Sequence, residues 1–357
     1  MLIGSAEPYS GKSALVLGVA QWLKSRGISF RYSKPLATSL ERQCRSSDRL
    51  FDDDAHLIGD MLQLAPRDLI PSLAASAAAA QLDCAHLGQA MERNYFPALQ
   101  KELEASTAQV TIMEGPGSLA EGCCFGLHLP ALATRLGAPV LLIHPWQGSA
   151  SLEPLLDAVN RLEGQAMGVV LNAVDPEAVP ALKRDLEPLL KRFNLPLLGV
   201  LPRSPLLRSV SVRELSQRLD AEVLCCLERL DLLVETLSIG AMSVNSAMQV
   251  FRRQRNMAVV TGADRTDIQL AALEASTQCL ILTGASSPLP ELITRAGELE
   301  VPLLKVSKDT LNTVALVERA FGNVRLHEPV KASFALRLIQ ENCDFTPLME
   351  RLKLPHS

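Results

Sequence analysis

Near-continuous apolar runs, each separated from the next by a helical pattern, constrain this chain more than any other feature. The runs are "MLIG" (1–4), "ISFRYSKP" (28–35), "QVTIMEG" (109–115), "APVLLIHP" (138–145), "MGVVLNAV" (167–174) and "LPLLGVLP" (195–202). Helical patterns such as "KSALVLGVAQWLKSRG" (12–27) and "PALKRDLEPLLKRF" (180–193) lie between them. A strand that is apolar on both sides must be covered on both faces, and intervening helices supply the cover. The pattern predicts an α/β fold with a doubly wound parallel sheet. "SLAASAAAA" (72–80) reads as a helix start.

A second series follows. "SPLLRSVSVRELSQRLDAEVL" (204–224) reads as a turn and a connecting helix. Strand patterns recur at 256–262, 278–284 and 301–307, with helices at 264–276 and 288–300. These place a first domain at 1–215, a second, smaller α/β domain at 225–335, and a helical tail at 336–357. A chain of 357 residues has the length for two or three cores.

Composition excludes several functions. A net charge of −4 gives no electrostatic reason to expect nucleic acid or an anionic membrane as partner. No apolar run reaches the roughly 18–20 residues that span a bilayer. Met1-Leu2-Ile3 runs straight into a glycine-containing loop, so no signal peptide is expected. The eight cysteines include the adjacent pairs Cys123-Cys124 and Cys225-Cys226 but no C-x-x-C, which suits a reduced, cytoplasmic setting. The six histidines lack zinc-ligand spacing, and no Ser-His-Asp or Cys-His arrangement is evident. His56 and His144 fall near the site discussed next and read as structural or solvent-facing.

"GSAEPYSGKS" (4–13) follows the first strand and opens the first helix. Backbone N–H groups in such a loop converge on phosphate oxygens, helped by the helix dipole. Ser10 and Gly11 let the backbone approach, Lys12 reaches the β and γ phosphates, and the Ser13 hydroxyl can ligate Mg²⁺. Ala6 stands where the usual loop has its first glycine. Lys34, after the second strand, is placed to hold a phosphate or an anionic substrate. "FDDDAHLI" (51–58) offers Asp52, Asp53 and Asp54 before a helix, where carboxylates suit capping at the positive helix end. Glu114 ends a buried strand, where a second Mg²⁺ ligand belongs.

These pieces occur in the order seen in the dethiobiotin synthetase superfamily of P-loop proteins. Residues 1 to about 210 resemble that superfamily, and in particular the N-terminal module of long phosphate acetyltransferases. The resemblance rests on Gly11-Lys12-Ser13, Lys34-Pro35, Asp54-Ala55, Glu114-Gly115 and Asn172 in "VVLNAV". It implies ATP and Mg²⁺ as cofactors, with Ser13, Asp54 and Glu114 on the metal and Lys12 and Lys34 on the phosphates. Asn172 would read the adenine, "VLPRSP" (200–205) would flank the base, and Thr38 takes the substrate-side hydroxyl position. The chain departs from the synthetases in "GPGSLAEGCCFG" after Glu114 and in the loop "AEPYSG".

Residues of roughly 225–325 resemble the DRTGG domain. Asp264-Arg265-Thr266 are retained, Asp267-Ile268 replace the two glycines, and Gly284-Ala285 occupies a second glycine turn. Asp264 and Thr266 also read as ordinary helix N-terminal residues. The resemblance implies a regulatory, dimer-forming domain and so a homo-oligomer, with a further protein as a second kind of partner. No acetyltransferase catalytic domain follows, so that reaction is not expected of this chain alone. Three readings are open at this point. One is an ATP- and Mg²⁺-binding regulatory protein. The second is an ATP-dependent ligase, or slow ATPase, using Lys34 and Thr38 on a carboxylate or carbamate. The third is a scaffold with a degenerate site. Because every proposed nucleotide contact lies before residue 210, residues 1–215 alone are expected to bind ATP.

Overall fold

The computed structural model describes residues 1–40, 49–105, 107–275, 277–326 and 328–354. The chain forms two compact units, Met1–Arg203 together with Leu326–Ser357, and Ser204–Arg325. The first is built on β1 (Leu2–Gly4), β2 (Phe30–Ser33), β3 (Leu69–Ile70), β4 (Val110–Glu114), β5 (Val140–Pro145), β6 (Ala166–Val174) and β7 (Leu197–Pro202). They stand in the order β3-β2-β4-β1-β5-β6-β7, and every pairing is parallel. Each apolar run in the sequence has become one of these strands. Only β3, a two-residue edge, left no such run.

Strand order dictates where a ligand can sit. The chain leaves β1 and passes over β4 to reach β2, then leaves β4 and passes over β1 to reach β5. The direction of winding reverses between β1 and β4, and a crevice opens beyond their carboxyl ends. Ile3 pairs with Glu114 across that junction. The loop after β1 and the end of β4 are therefore neighbours before any side chain is considered.

Helix α1 (Lys12–Ser25) follows the loop and buries Leu15, Val16, Val19, Ala20 and Leu23. Its outer side is covered by the helix Pro329–Asn342. A Cβ on Gly18 would come within 2.4 Å of Ile339 Cγ2, so the two helices meet where α1 has no side chain. Trp22 stands edge-on to Phe345 at 5.9 Å, and Asp344 N donates to Leu198 O at 2.8 Å. Cys343 bridges Gly199 as an antiparallel partner. Residues 336–357, set apart as a tail in the sequence, thus complete the first unit. Contacts between positions so far apart in the sequence leave no local pattern to read. They also revise the expectation for residues 1–215 alone, because that fragment lacks the cover of α1.

Residues 72–80 do not start a helix. Ala74–Ala75 pairs in parallel with Leu36–Ala37, held by Leu73 N on Pro35 O and Ser76 N on Ala37 O, both at 2.8 Å. Tertiary pairing overrides the helix preference of alanine here, and the next α-helix begins at Cys84.

In the second unit, β8 (Glu222–Cys225), β9 (Thr236–Ile239), β10 (Met257–Gly262), β11 (Thr277–Thr283) and β12 (Leu303–Lys305) stand in the order β8-β12-β11-β10-β9. β8 is antiparallel to β12, and the rest are parallel. Successive side chains point to opposite faces. Ala258, Val260, Cys279 and Ile281 pack with Val212 and Leu215, whereas Met257, Val259, Leu280 and Leu282 pack with Phe251 and Ile268. The unit begins at Ser204 rather than near 215. Val210, Val212, Leu215 and Leu219 belong to its core, and Val210 pairs with Val234. Among the described residues no helix is long and apolar enough to cross a membrane.

Candidate functional site

The loop after β1 reaches α1 through Gly11, whose φ of +99° suits glycine. A Cβ there would stand 2.6 Å from Asn172 Nδ2. Asn172 lies at the end of β6 and braces the loop, with Nδ2 donating to Ser10 O at 2.8 Å and Oδ1 accepting from Ala173 N at 2.8 Å. These bonds use one Nδ2 hydrogen and one Oδ1 lone pair, and an amide side chain has two of each. Arg203 donates from Nε to Ala173 O at 3.4 Å, so the 200–203 stretch does run beside Asn172.

Lys12 is buried, with Nζ donating to Gly117 O at 3.1 Å and lying 3.5 Å from Ser10 Oγ. Burial pulls its pKa down to about 8, against the opposing pull of Glu114. Ser13 Oγ donates to Glu114 Oε1 at 3.1 Å, and the Tyr32 hydroxyl donates to Glu114 Oε2 at 2.9 Å. Glu114 is 2% exposed, and burial raises its pKa above the usual carboxylate range, with Lys34 as the main opposing charge. Burial also pushes the Tyr32 phenol well above its ordinary value, with Glu114 adding to the shift.

Lys34 follows β2 and is 3% exposed. Its Nζ lies 2.9 Å from Asp52 Oδ1, 2.5 Å from Asp54 Oδ2 and 3.7 Å from Glu114 Oε1. Burial alone would lower its pKa, but Asp54, Glu114 and Asp52 outweigh it and hold the ammonium charged. Asp52 is the hub of this end of the site. Oδ2 accepts from Thr38 N at 2.6 Å, Thr38 Oγ1 at 3.2 Å and Ser39 N at 3.0 Å. Oδ1 accepts from Asp54 N at 2.8 Å as well as from Lys34. Asp52 thus caps helix α2 (Asp53–Leu62) and sets the positions of Lys34, Thr38 and Asp54 together. Ser39 Oγ donates to Asp53.

The structure therefore brings Ser10, Gly11, Lys12, Ser13, Lys34, Thr38, Asp54, Glu114 and Asn172 to the carboxyl ends of β1, β2, β4 and β6. His56 is exposed beside Phe51, and buried His144 turns Nε2 to Ser151 O at 2.7 Å. Sequence reasoning missed Tyr32 and Glu121, and gave Asp52 only a cap. Tyr32 reads as an inward core position of a strand, and the backbone donors of Asp52 carry no side-chain signal. Glu121 Oε2 accepts from Gly117 N at 2.5 Å, and the carbonyl of the same residue receives Lys12. A cavity of about 210 Å³ opens beside it, lined by Ser76, Ala77, Ala78, Glu121, Cys123 and Phe125 among others.

The donor set fits a hard divalent cation. Ser13 Oγ and Glu114 Oε1 are adjacent, and Asp54 reaches the same region through Lys34. Mg²⁺ is usually held by one or two carboxylates, with water and phosphate completing an octahedron. Among the described residues no group of three or more His, Cys, Asp or Glu is arranged to hold a metal ion by itself.

In the second unit, Arg265 donates to both oxygens of Asp267 at 3.0 Å and to Met242 O at 3.1 Å. Asp267, one of the residues that replace the DRTGG glycines, thus neutralises the arginine of the motif. Thr266 is the first residue of its helix, and Asp264 is exposed.

Comparison with known proteins agrees with this architecture. The AAA domain family (AAA_26) matches residues 1–236, and the DRTGG domain family matches residues 214–320. The phosphate acetyltransferase of Synechocystis sp. is 26% identical over 373 residues, covering 99% of this chain and 52% of that protein. The chain spans about half the length of the phosphate acetyltransferases it matches. The ATP-dependent dethiobiotin synthetase BioD of Pseudomonas paraeruginosa is 31% identical over 206 residues, covering 54% of this chain and 85% of that protein. The solved CBS and DRTGG domains of Clostridium perfringens pyrophosphatase match at 18% identity and a TM-score of 0.29, covering 43% of this chain and 73% of that one. The chain belongs to the AAA domain family, with a dethiobiotin-synthetase-like P-loop domain followed by a DRTGG domain.

Proposed function

We propose that the first unit binds ATP with Mg²⁺, and that the chain is a regulatory protein of the phosphate acetyltransferase N-terminal type. The observation that carries this reading is the buried charge set at the switch point. Lys12, Lys34, Asp52, Asp54 and Glu114 are all at most 7% exposed. Buried charges cost free energy unless they are paired or serve a ligand. Lys12 is the informative member: its Nζ meets a carbonyl and a hydroxyl rather than a paired carboxylate, and burial pulls its pKa down to about 8. A polyphosphate would supply an anionic partner. In the bound state Lys12 and Lys34 would hold phosphate oxygens, and Ser13, Asp54 and Glu114 would hold Mg²⁺, which supplies charge neutralisation of the triphosphate. The DRTGG domain would report this state to a second copy of the chain or to another protein. β9 is an edge strand, and Ile239 on it and Leu270 on a neighbouring helix are exposed, which suits a second copy as partner. The seven described cysteines are all free, which suits the cytoplasm. Calorimetric titration of the wild type and Lys12→Ala with Mg²⁺–ATP tests the reading. Binding in the first and none in the second is the expected result, and equal affinity rejects it.

A second reading, an ATP-dependent ligase acting on a carboxylate or carbamate through Lys34 and Thr38, is favoured by the relation to dethiobiotin synthetase. ATP turnover that depends on an added small acid or amine would move this reading ahead.

A further inference from the structure

Lys34 holds a position that phosphate recognition alone does not require. Its ammonium touches the two carboxylates, Asp54 and Glu114, that the proposed function gives to Mg²⁺. Glu114 Oε1, 3.7 Å from Nζ, is also the oxygen that receives Ser13 Oγ. Its other oxygen is committed to Tyr32. Asp52, the third carboxylate around Nζ, is saturated by two backbone N–H groups before α2, the Asp54 N–H and the Thr38 hydroxyl. A metal ion that uses Asp54 and Glu114 must therefore share them with Lys34.

We propose that Lys34 is the resident counter-cation of the metal site, and that it makes the site specific for the metal–nucleotide complex over the free metal ion. Two cations on shared ligands repel, so free Mg²⁺ meets an ammonium already seated among the carboxylates it needs. A nucleotide changes the balance, because its phosphate oxygens give the ammonium new acceptors while Asp52 still tethers the lysine. Asp54 and Glu114 then turn to the metal. Metal and nucleotide enter as one ligand, and each raises the affinity of the other by the same factor. This rests on the nucleotide reading above and adds a direction to it: the site does not respond to the free divalent ion.

The test uses the full chain with Mn²⁺ as a paramagnetic probe, titrated with and without a non-hydrolysable ATP analogue. Wild type should bind free Mn²⁺ weakly and tighten by about 10- to 100-fold with the analogue, within the usual range of coupling. Lys34→Met should bind free Mn²⁺ at least about tenfold more tightly than wild type, because the carboxylates lose their counter-charge. Should that variant fail to fold, Lys34→Gln, which keeps a donor but not the charge, serves for the same comparison. Equal Mn²⁺ affinity with and without bound analogue overturns the proposal while leaving the nucleotide site standing. Failure of wild type to bind the analogue rejects the nucleotide reading. The free-Mn²⁺ comparison of wild type and variant then still decides the role of Lys34, since unchanged affinity overturns it.

Discussion

At the scale of the residue, Lys12 links burial to function. Burial brings its folded-state pKa to about 8, below the ordinary lysine value of 10.5. Between those values the unfolded chain carries a proton that the folded chain lacks, so the stability of the ligand-free protein rises with pH across the window, by up to about 3 kcal/mol. Lys12→Met should remove that contribution, which chemical denaturation of both proteins between pH 7 and 10 will measure. Nucleotide binding has the opposite sign. It needs the ammonium, so affinity should hold up to about pH 8 and then fall by about tenfold per unit; a flat profile to pH 9.5 would show that Lys12 does not meet the phosphates. Tyr32→Phe removes the donor on Glu114 Oε2. Hydrogen bonds to charged groups are worth about 1.5–3 kcal/mol, so Mg²⁺-dependent ATP binding should weaken by about tenfold or more while binding in EDTA is unchanged. Equal loss in both would make Tyr32 a core residue only. Lys12, Ser13, Lys34 and Glu114 were legible because each stands beside a strand end or a glycine in a recognisable order. Asp52 and Tyr32 were not, because what defines them is a backbone donor or a residue on another strand.

At the scale of the element, strands buried on both faces were the most legible part of the chain, since no other element tolerates such uninterrupted apolar runs. The short edges β3, β8 and β9 carry mixed sequences, and their pairing alone makes them strands. The helix Pro329–Asn342 was legible as a helix but not as a partner of α1. The contact at Gly18 gives a direct check. Gly18→Ala drives a methyl into Ile339 and should cost about 1–3 kcal/mol, as overpacking of a core does. Adding Ile339→Ala, which removes the Cγ2 that the new methyl meets, should make the Gly18→Ala change cost less than it does alone. A thermal melt in which Gly18→Ala is neutral would mean that the C-terminal helix does not rest on α1. For the same reason, a chain ended at residue 325 should melt lower and bind ATP less well than the whole protein, although it keeps every proposed nucleotide contact.

At the scale of the whole molecule, a phosphate-loop unit and a small DRTGG unit share one chain, and the account requires that the second respond to the first. Nucleotide can shift an association equilibrium only if it binds the two states with different affinity. Sedimentation of the full chain should show a dimer whose strength changes with Mg²⁺–ATP. A dimer of unchanged strength would leave the contact and reject the sensing role. Every part of this depends on the nucleotide site itself. The most direct measurement is a calorimetric titration of the wild type and Glu114→Gln with ATP, once in Mg²⁺ and once in EDTA. The account predicts that wild type binds more tightly in Mg²⁺, and that Glu114→Gln loses this advantage while matching wild type in EDTA. Wild-type affinity that is the same in both buffers, or a variant that loses binding equally in both, would contradict it.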